Sequence, residues 1–297
     1  MRTQSIDTSP EFERIQIARI RTFSAAKKFT SVRSWTQSIT SANLHFASDS
    51  SNERQKRDRA VAFVAREYGD RFARLFCNAL EKQPEWRLQP PDIQEALLPL
   101  LDVAERLDVP ALLIGSVAGS TYGFPRSAQD VDIVANFHSD HLVFLFEQLA
   151  HTYVFDPPPI TLAQQHYTSL SLLHLSRLIK IDVFLPFTVF EKTLLERRQA
   201  HVLIEGRAPL LIASAEDMTI LNLLQYQTQG TNPDDRWNDI LGILKVQALT
   251  LDLAYLDQQA KRMGIEELFS QALIDAGIRN NEPSSSLQKG VLDLAPI

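Results

Sequence analysis

The apolar and polar positions divide the chain into a helical head, a mixed centre and a helical end. Residues 1–50 are rich in Ser, Thr and Gln with patchy apolar spacing, which predicts a partly helical, loosely attached region. From 53 to 83, Val61, Phe63, Val64, Tyr68, Phe72, Leu75, Phe76 and Leu80 fall near one helical stripe. Gln89, Pro90 and Pro91 break the chain. Asp92 then caps a helix to about Leu107, with Ile93, Leu97, Leu100, Leu101 and Ala104 on one side.

The texture changes at Pro110. Ala111 to Ile114 is a short buried strand ending at Gly115 and Ser116, and Val117 to Tyr122 a short helix closed by Gly123. Asp130 to Asn136 reads as a strand and His138 to His151 as a helix. Pro157, Pro158 and Pro159 mark a loop. Ser169 to Leu175 and Ile179 to Leu185 form a hairpin, and His201 to Glu205 with Leu210 to Ile212 flank Gly206 as a further strand pair. Beyond this the chain is helical. Ser214 and Asp217 make a capping box for a helix to about Gln227. Asn232 to Asp234 open the next, to about Ala248, Asp252 caps another to Met263, and Ile265 to Ala276 is the last.

The predicted class is α+β, a mixed sheet with helices, flanked by helical regions. The expected units are an N-terminal helical, partly irregular basic region (1–90), an α/β domain (91–213), a C-terminal helical domain (214–279) and a disordered tail (280–297).

Composition changes this little. A hydrophobic fraction of 44% and a charged fraction of 22% are ordinary for a globular protein. The longest apolar runs are far too short to span a bilayer, and no apolar signal-peptide core precedes the first helix, so the expected compartment is the cytoplasm. Cys77 is the only cysteine, which excludes a disulfide framework or a thiolate zinc site. The net charge of −6 is uneven: residues 1–60 carry 11 Lys or Arg against 6 Asp or Glu. Such an arm can meet nucleic acid, but Arg54, Lys56, Arg57 and Arg59 read more simply as the wet face of a helix.

The chemistry lies in the centre. In a strand, Asp130 and Asp132 share a face while Val131 and Ile133 enter the core. Neighbouring carboxylates repel unless a cation sits between them, and Mg2+ or Mn2+ takes carboxylates together with substrate phosphates. Asp182, set between apolar Ile181 and Val183, is a third carboxylate needing a partner or a metal. It is also a candidate general base toward an acceptor hydroxyl. Gly115 and Ser116, at a strand-to-helix turn, offer backbone N–H groups and a hydroxyl to a phosphate. Arg126 offers either a cation to the phosphates or a clamp for its loop.

The run from Ile114 through Gly115, Ser116, Gly119, Gly123 and Arg126 to Asp130, Asp132 and Ile133 resembles the signature of DNA polymerase β-like nucleotidyltransferases. Within them it looks most like the bacterial abortive-infection, toxin–antitoxin-type proteins. The resemblance continues through Asp182, Glu216, Asp217 and Asn222 to Asp235–Leu241 and the last helices, about residues 95 to 275. It implies transfer of a nucleotide from an NTP to an RNA (such as tRNA), protein or small-molecule acceptor, with an antitoxin partner in the toxin-type members. It also implies metal ligands at Asp130 and Asp132, an active-site carboxylate at Asp182 and phosphate-binding Gly115 and Ser116. Asp239 is implied near the site, whereas helical spacing alone leaves it either a surface charge or a cleft residue.

The family pattern expects a lysine where this chain has Asn222. Helical spacing sets Asn222 with Met218 and Gln225 on a polar-leaning side, and Lys180 or Lys245 is the expected replacement for the missing charge. The alternative is a degenerate module that keeps the fold and binds a nucleotide or partner without catalysis.

Overall fold

The computed structural model describes residues 2–5, 7–44, 52–157, 168–228 and 233–279. The expected disordered tail, most of the triple-proline loop and Asn232 lie outside these. The described residues form eleven helices and one seven-stranded mixed sheet, the α+β class expected. The strands are β1 (Ala111–Ile114), β2 (Asp130–Ala135), β3 (Tyr153–Asp156), β4 (Ser169–His174), β5 (Lys180–Phe184), β6 (Gln199–His201) and β7 (Leu210–Ile212). Their order across the sheet is β3-β4-β5-β2-β1-β7-β6. β2 pairs parallel with β5, and β1 with β7; the remaining pairs are antiparallel.

Period-two alternation decides what each strand shows to each face. Val131, Ile133, Leu170, Leu172, Ile181 and Val183 enter the main core. Their neighbours Asp130, Asp132, Ser171, Lys180 and Asp182 therefore project from the opposite face. At the β3–β4 edge that opposite face carries a second apolar cluster, where Val154 and Leu173 meet Phe63, Phe72, Phe76 and Leu80. Its centre keeps the polar group.

The helices are α1 (Pro10–Arg21), α2 (Ala25–Asn43), α3 (Glu53–Glu81), α4 (Ile93–Arg106), α5 (Gly115–Tyr122) and α6 (Ser139–Leu149). After the sheet's central strands come α7 (Val189–Glu196), α8 (Ala215–Gln227), α9 (Pro233–Gln247), α10 (Leu253–Met263) and α11 (Glu266–Ala276). Ser9, Ser24 and Asn52 accept backbone N–H bonds and so start the first three helices.

Four expectations are corrected. The two helices of the first fifty residues are not loosely attached: α2 packs on α5 and α4, and α1 on α9. Phe29 and Val32 reach the main core, a one-sided burial too narrow to dominate a Ser/Thr-rich pattern. The helix from 53 is broken at Gly69, whose φ of +87° lets the chain turn where another side chain would be strained. The strand expected at His201–Glu205 is Gln199–His201, because Leu203 and Ile204 turn inward ahead of Gly206. β3 and α7 were not anticipated, although Thr188 with Glu191 is a capping box visible in the sequence.

Candidate functional site

The candidate site sits where the sheet's central strands carry their polar face. Parallel pairing of β2 and β5 puts Asp132 opposite Asp182 and Asp130 opposite Lys180. Asp130, Asp132 and Asp182 each offer a carboxylate oxygen, all within 4.8 Å of one another. These three positions, read from strands fifty residues apart in sequence, converge as anticipated.

The charges are frustrated. Burial first, then Asp130 and Asp182, push the Asp132 carboxyl up to about 7. Burial also raises Asp130, and Lys180 pulls it back. Lys180 is the nearest relief: its Nζ lies 2.6 Å from Asp182 Oδ2, while the Ser171 hydroxyl donates to Asp182 Oδ1. Both oxygens of Asp182 are therefore engaged within the protein.

β1 delivers Gly115 directly against this group. Gly115 has φ +65°, and a Cβ there would fall 1.9 Å from Asp132 Oδ2. Only glycine fits, which is how the backbone at the start of α5 comes so close to the carboxylates. Beside it, the buried Ser116 Oγ has no hydrogen-bond partner among the described residues. A buried hydroxyl left unpaired is costly unless a ligand completes it.

The remaining candidates fall into place differently. Arg126 is a clamp: its Nε and Nη2 hold Asp239 Oδ1 and Oδ2 at 2.8 and 2.7 Å. That fork ties the loop before β2 to α9, and Asp239 is the carboxylate it uses. The pairing holds the Arg126 guanidinium above its ordinary value.

Asn222 is not on a free polar side, as the helical spacing indicated. It is 2% exposed, since α8 is enclosed by α9 and α10. Lys245 is far from its expected role, for its ammonium bonds both Glu13 oxygens at 3.1 Å in the core. The cation beside position 222 is one the sequence reading did not select, Arg236 of α9. Its Nη1 lies 3.5 Å from Asn222 Oδ1, and its charge acts on Asp132. Its place in the run Asp235–Leu241 was the available signal.

Tyr68 of α3 was likewise missed. Its hydroxyl donates to the Leu178 carbonyl at 3.0 Å, and burial followed by Asp130 raises its phenol well above the usual range. It brings α3 within electrostatic reach of Asp130 and Asp182.

The basic arm is largely consumed by the fold. Arg33 pairs with Asp92, Arg57 bonds the carbonyls of Gln83 and Pro84, and Lys28 reaches the carbonyls of Thr121 and Tyr122. Among the described residues, no helix is long and apolar enough to cross a membrane.

The donor set fits a divalent cation. Three clustered carboxylates supply the hard oxygen ligands such an ion takes, and the raised pKa values of Asp130 and Asp132 mark a charge deficit that it would remove. No family model and no curated protein matches the chain. Among solved structures, it is similar to an antigenic nucleotidyltransferase-like protein from Paracoccidioides brasiliensis. The TM-score is 0.37 at 15% identity, over 60% of this chain and 91% of that one.

Proposed function

We propose that this chain is a metal-dependent nucleotidyltransferase that moves a nucleoside monophosphate from an NTP to a hydroxyl acceptor, releasing pyrophosphate. The observation that carries the reading is the meeting of Asp130, Asp132 and Asp182 within 4.8 Å, against a glycine turn that admits no Cβ. The sequence resemblance across the same residues supports it.

In this reading Asp130, Asp132 and Asp182 hold Mg2+ or Mn2+. The ion, when bound, polarises the α-phosphoryl group and offsets the charge of the leaving pyrophosphate. The backbone at Gly115 and the unpartnered Ser116 hydroxyl receive phosphate oxygens at the start of α5. The acceptor oxygen attacks the α-phosphorus, the bond to pyrophosphate breaks, and the acceptor proton passes to the Asp182 carboxylate. Arg236 contributes positive charge on the side of Asp132. Arg126 and Asp239 fix the loop that carries β2 into place.

The test is incubation with labelled NTPs and Mg2+ or Mn2+, with total tRNA, protein extract or small hydroxyl compounds offered as separate acceptors. Label transfer with pyrophosphate release is expected from the parent and not from Asp132→Ala. Nucleotide binding without transfer to any acceptor would favour the degenerate binding module. Absence of both metal and nucleotide binding would remove the assignment.

A further inference from the structure

Lys180 occupies an unusual position in a site meant for a divalent ion. It stands two residues before Asp182 on β5, so both side chains emerge on the same face, and it lies opposite Asp130 in register. Its ammonium is 2.6 Å from Asp182 Oδ2, with exposures of only 20% and 15% for the two side chains. The other oxygen of Asp182 receives the Ser171 hydroxyl. The positive charge of Lys180 also stabilises the ionised forms of Asp130 and Asp132.

We propose that Lys180 is the resident counter-cation of the carboxylate cluster and competes with the divalent metal for Asp182, so that it holds down the affinity for bare metal ion. This rests on the metal site proposed above. With Lys180 in place, the three carboxylates in their ionised forms present a net charge of −2; without it they present −3. A dication approaching Asp182 meets an ammonium already on the oxygen it needs, and like charges a few ångströms apart repel strongly where water is scarce. Binding therefore requires Lys180 to leave Asp182. The released ammonium remains on the same face, available to the added negative charge of a triphosphate. The site then favours metal arriving together with nucleotide over metal alone.

The test uses the full chain and Mn2+ alone, with free Mn2+ read by electron paramagnetic resonance. Lys180→Met should bind Mn2+ about ten- to thirtyfold more tightly than the parent, while Lys180→Arg stays near the parent value. Metal-free Lys180→Met should melt lower than the parent, and saturating Mn2+ should reverse that order. Equal or weaker Mn2+ binding by a folded Lys180→Met overturns the competition and leaves the metal site standing. If neither protein binds Mn2+, the metal site and the competition fail together. Should Lys180→Met not fold, the lysine Cε resonances of the parent carry the test. Mg2+ should shift the Lys180 signal toward that of a solvated lysine, and an unmoved signal overturns the proposal.

Discussion

Asp132 lies against Gly115 with two other carboxylates beside it, so its ionisation is opposed by both burial and like charge. Its carboxyl sits at about 7, against an ordinary value of 3.8. The folded chain therefore binds more proton than the unfolded chain between these values, and this contribution to stability is lost as pH rises through them. Metal-free Asp132→Asn should be more stable than the parent at pH 8 by about 1–3 kcal/mol, with the difference vanishing near pH 4. Urea unfolding at the two pH values checks this, and equal stability at pH 8 would contradict the charge-deficit account.

At position 222, a new lysine would be pressed into a site 2% exposed beside Arg236. Asn222→Lys should lower the melting temperature and not raise NTP affinity, because a buried ammonium beside a guanidinium is unfavourable. Arg236→Ala should instead weaken NTP binding in the presence of Mg2+ about tenfold to a hundredfold, the size of a charge-assisted contact. Isothermal titration of both variants separates the two positions. A gain in affinity from Asn222→Lys would mean that the helix side is more open than its packing indicates.

Among the elements, the β4–β5 hairpin has its turn held by a half-buried histidine. His174 Nδ1 accepts the backbone N–H groups of Ser176 and Arg177 at 3.2 Å, which requires a neutral ring. Burial, then Arg177, lowers its pKa to about 4 from 6.5. The folded chain binds less proton than the unfolded chain between those values, so the stabilisation is full above 6.5 and is lost as pH falls toward 4. Between pH 7 and pH 5 the parent should lose about 1–2 kcal/mol more than His174→Asn, which keeps an acceptor without a titrating ring. Denaturant midpoints at the two pH values decide it. This hairpin was legible in the sequence because apolar and polar positions alternate along both of its strands. β3 was not, since a four-residue edge strand beside prolines resembles a loop. The break in α3 was hidden too, because the apolar stripe continues past Gly69 on either side.

Across the whole molecule, the N-terminal segment is fastened to the C-terminal helices by a pair of charges out of reach of water. Glu13 and Lys245 have side-chain exposures of 0% and 1%, and Gln4 N and the Arg2 carbonyl complete their bonding. Removing one partner strands the other, so Glu13→Ala should cost about 3–5 kcal/mol, and Glu13→Leu with Lys245→Met should recover most of it. Thermal melts of the single and double variants test whether α1 and α9 are one folding unit; an additive double loss would show that they are not.

The sequence by itself determined the α+β class, the strand alternation that sets Asp130 with Asp132, and the glycine turn beside them. Those are local consequences of residue spacing. Which cations serve the site was decided only by tertiary structure. Lys245 is drawn into the core by Glu13, Arg126 is taken by Asp239, and Arg236 and Lys180 are left beside the carboxylates. The physical reason is that a long charged side chain pairs with whatever opposite charge lies within a few ångströms, and that partner is chosen by packing between segments far apart in sequence.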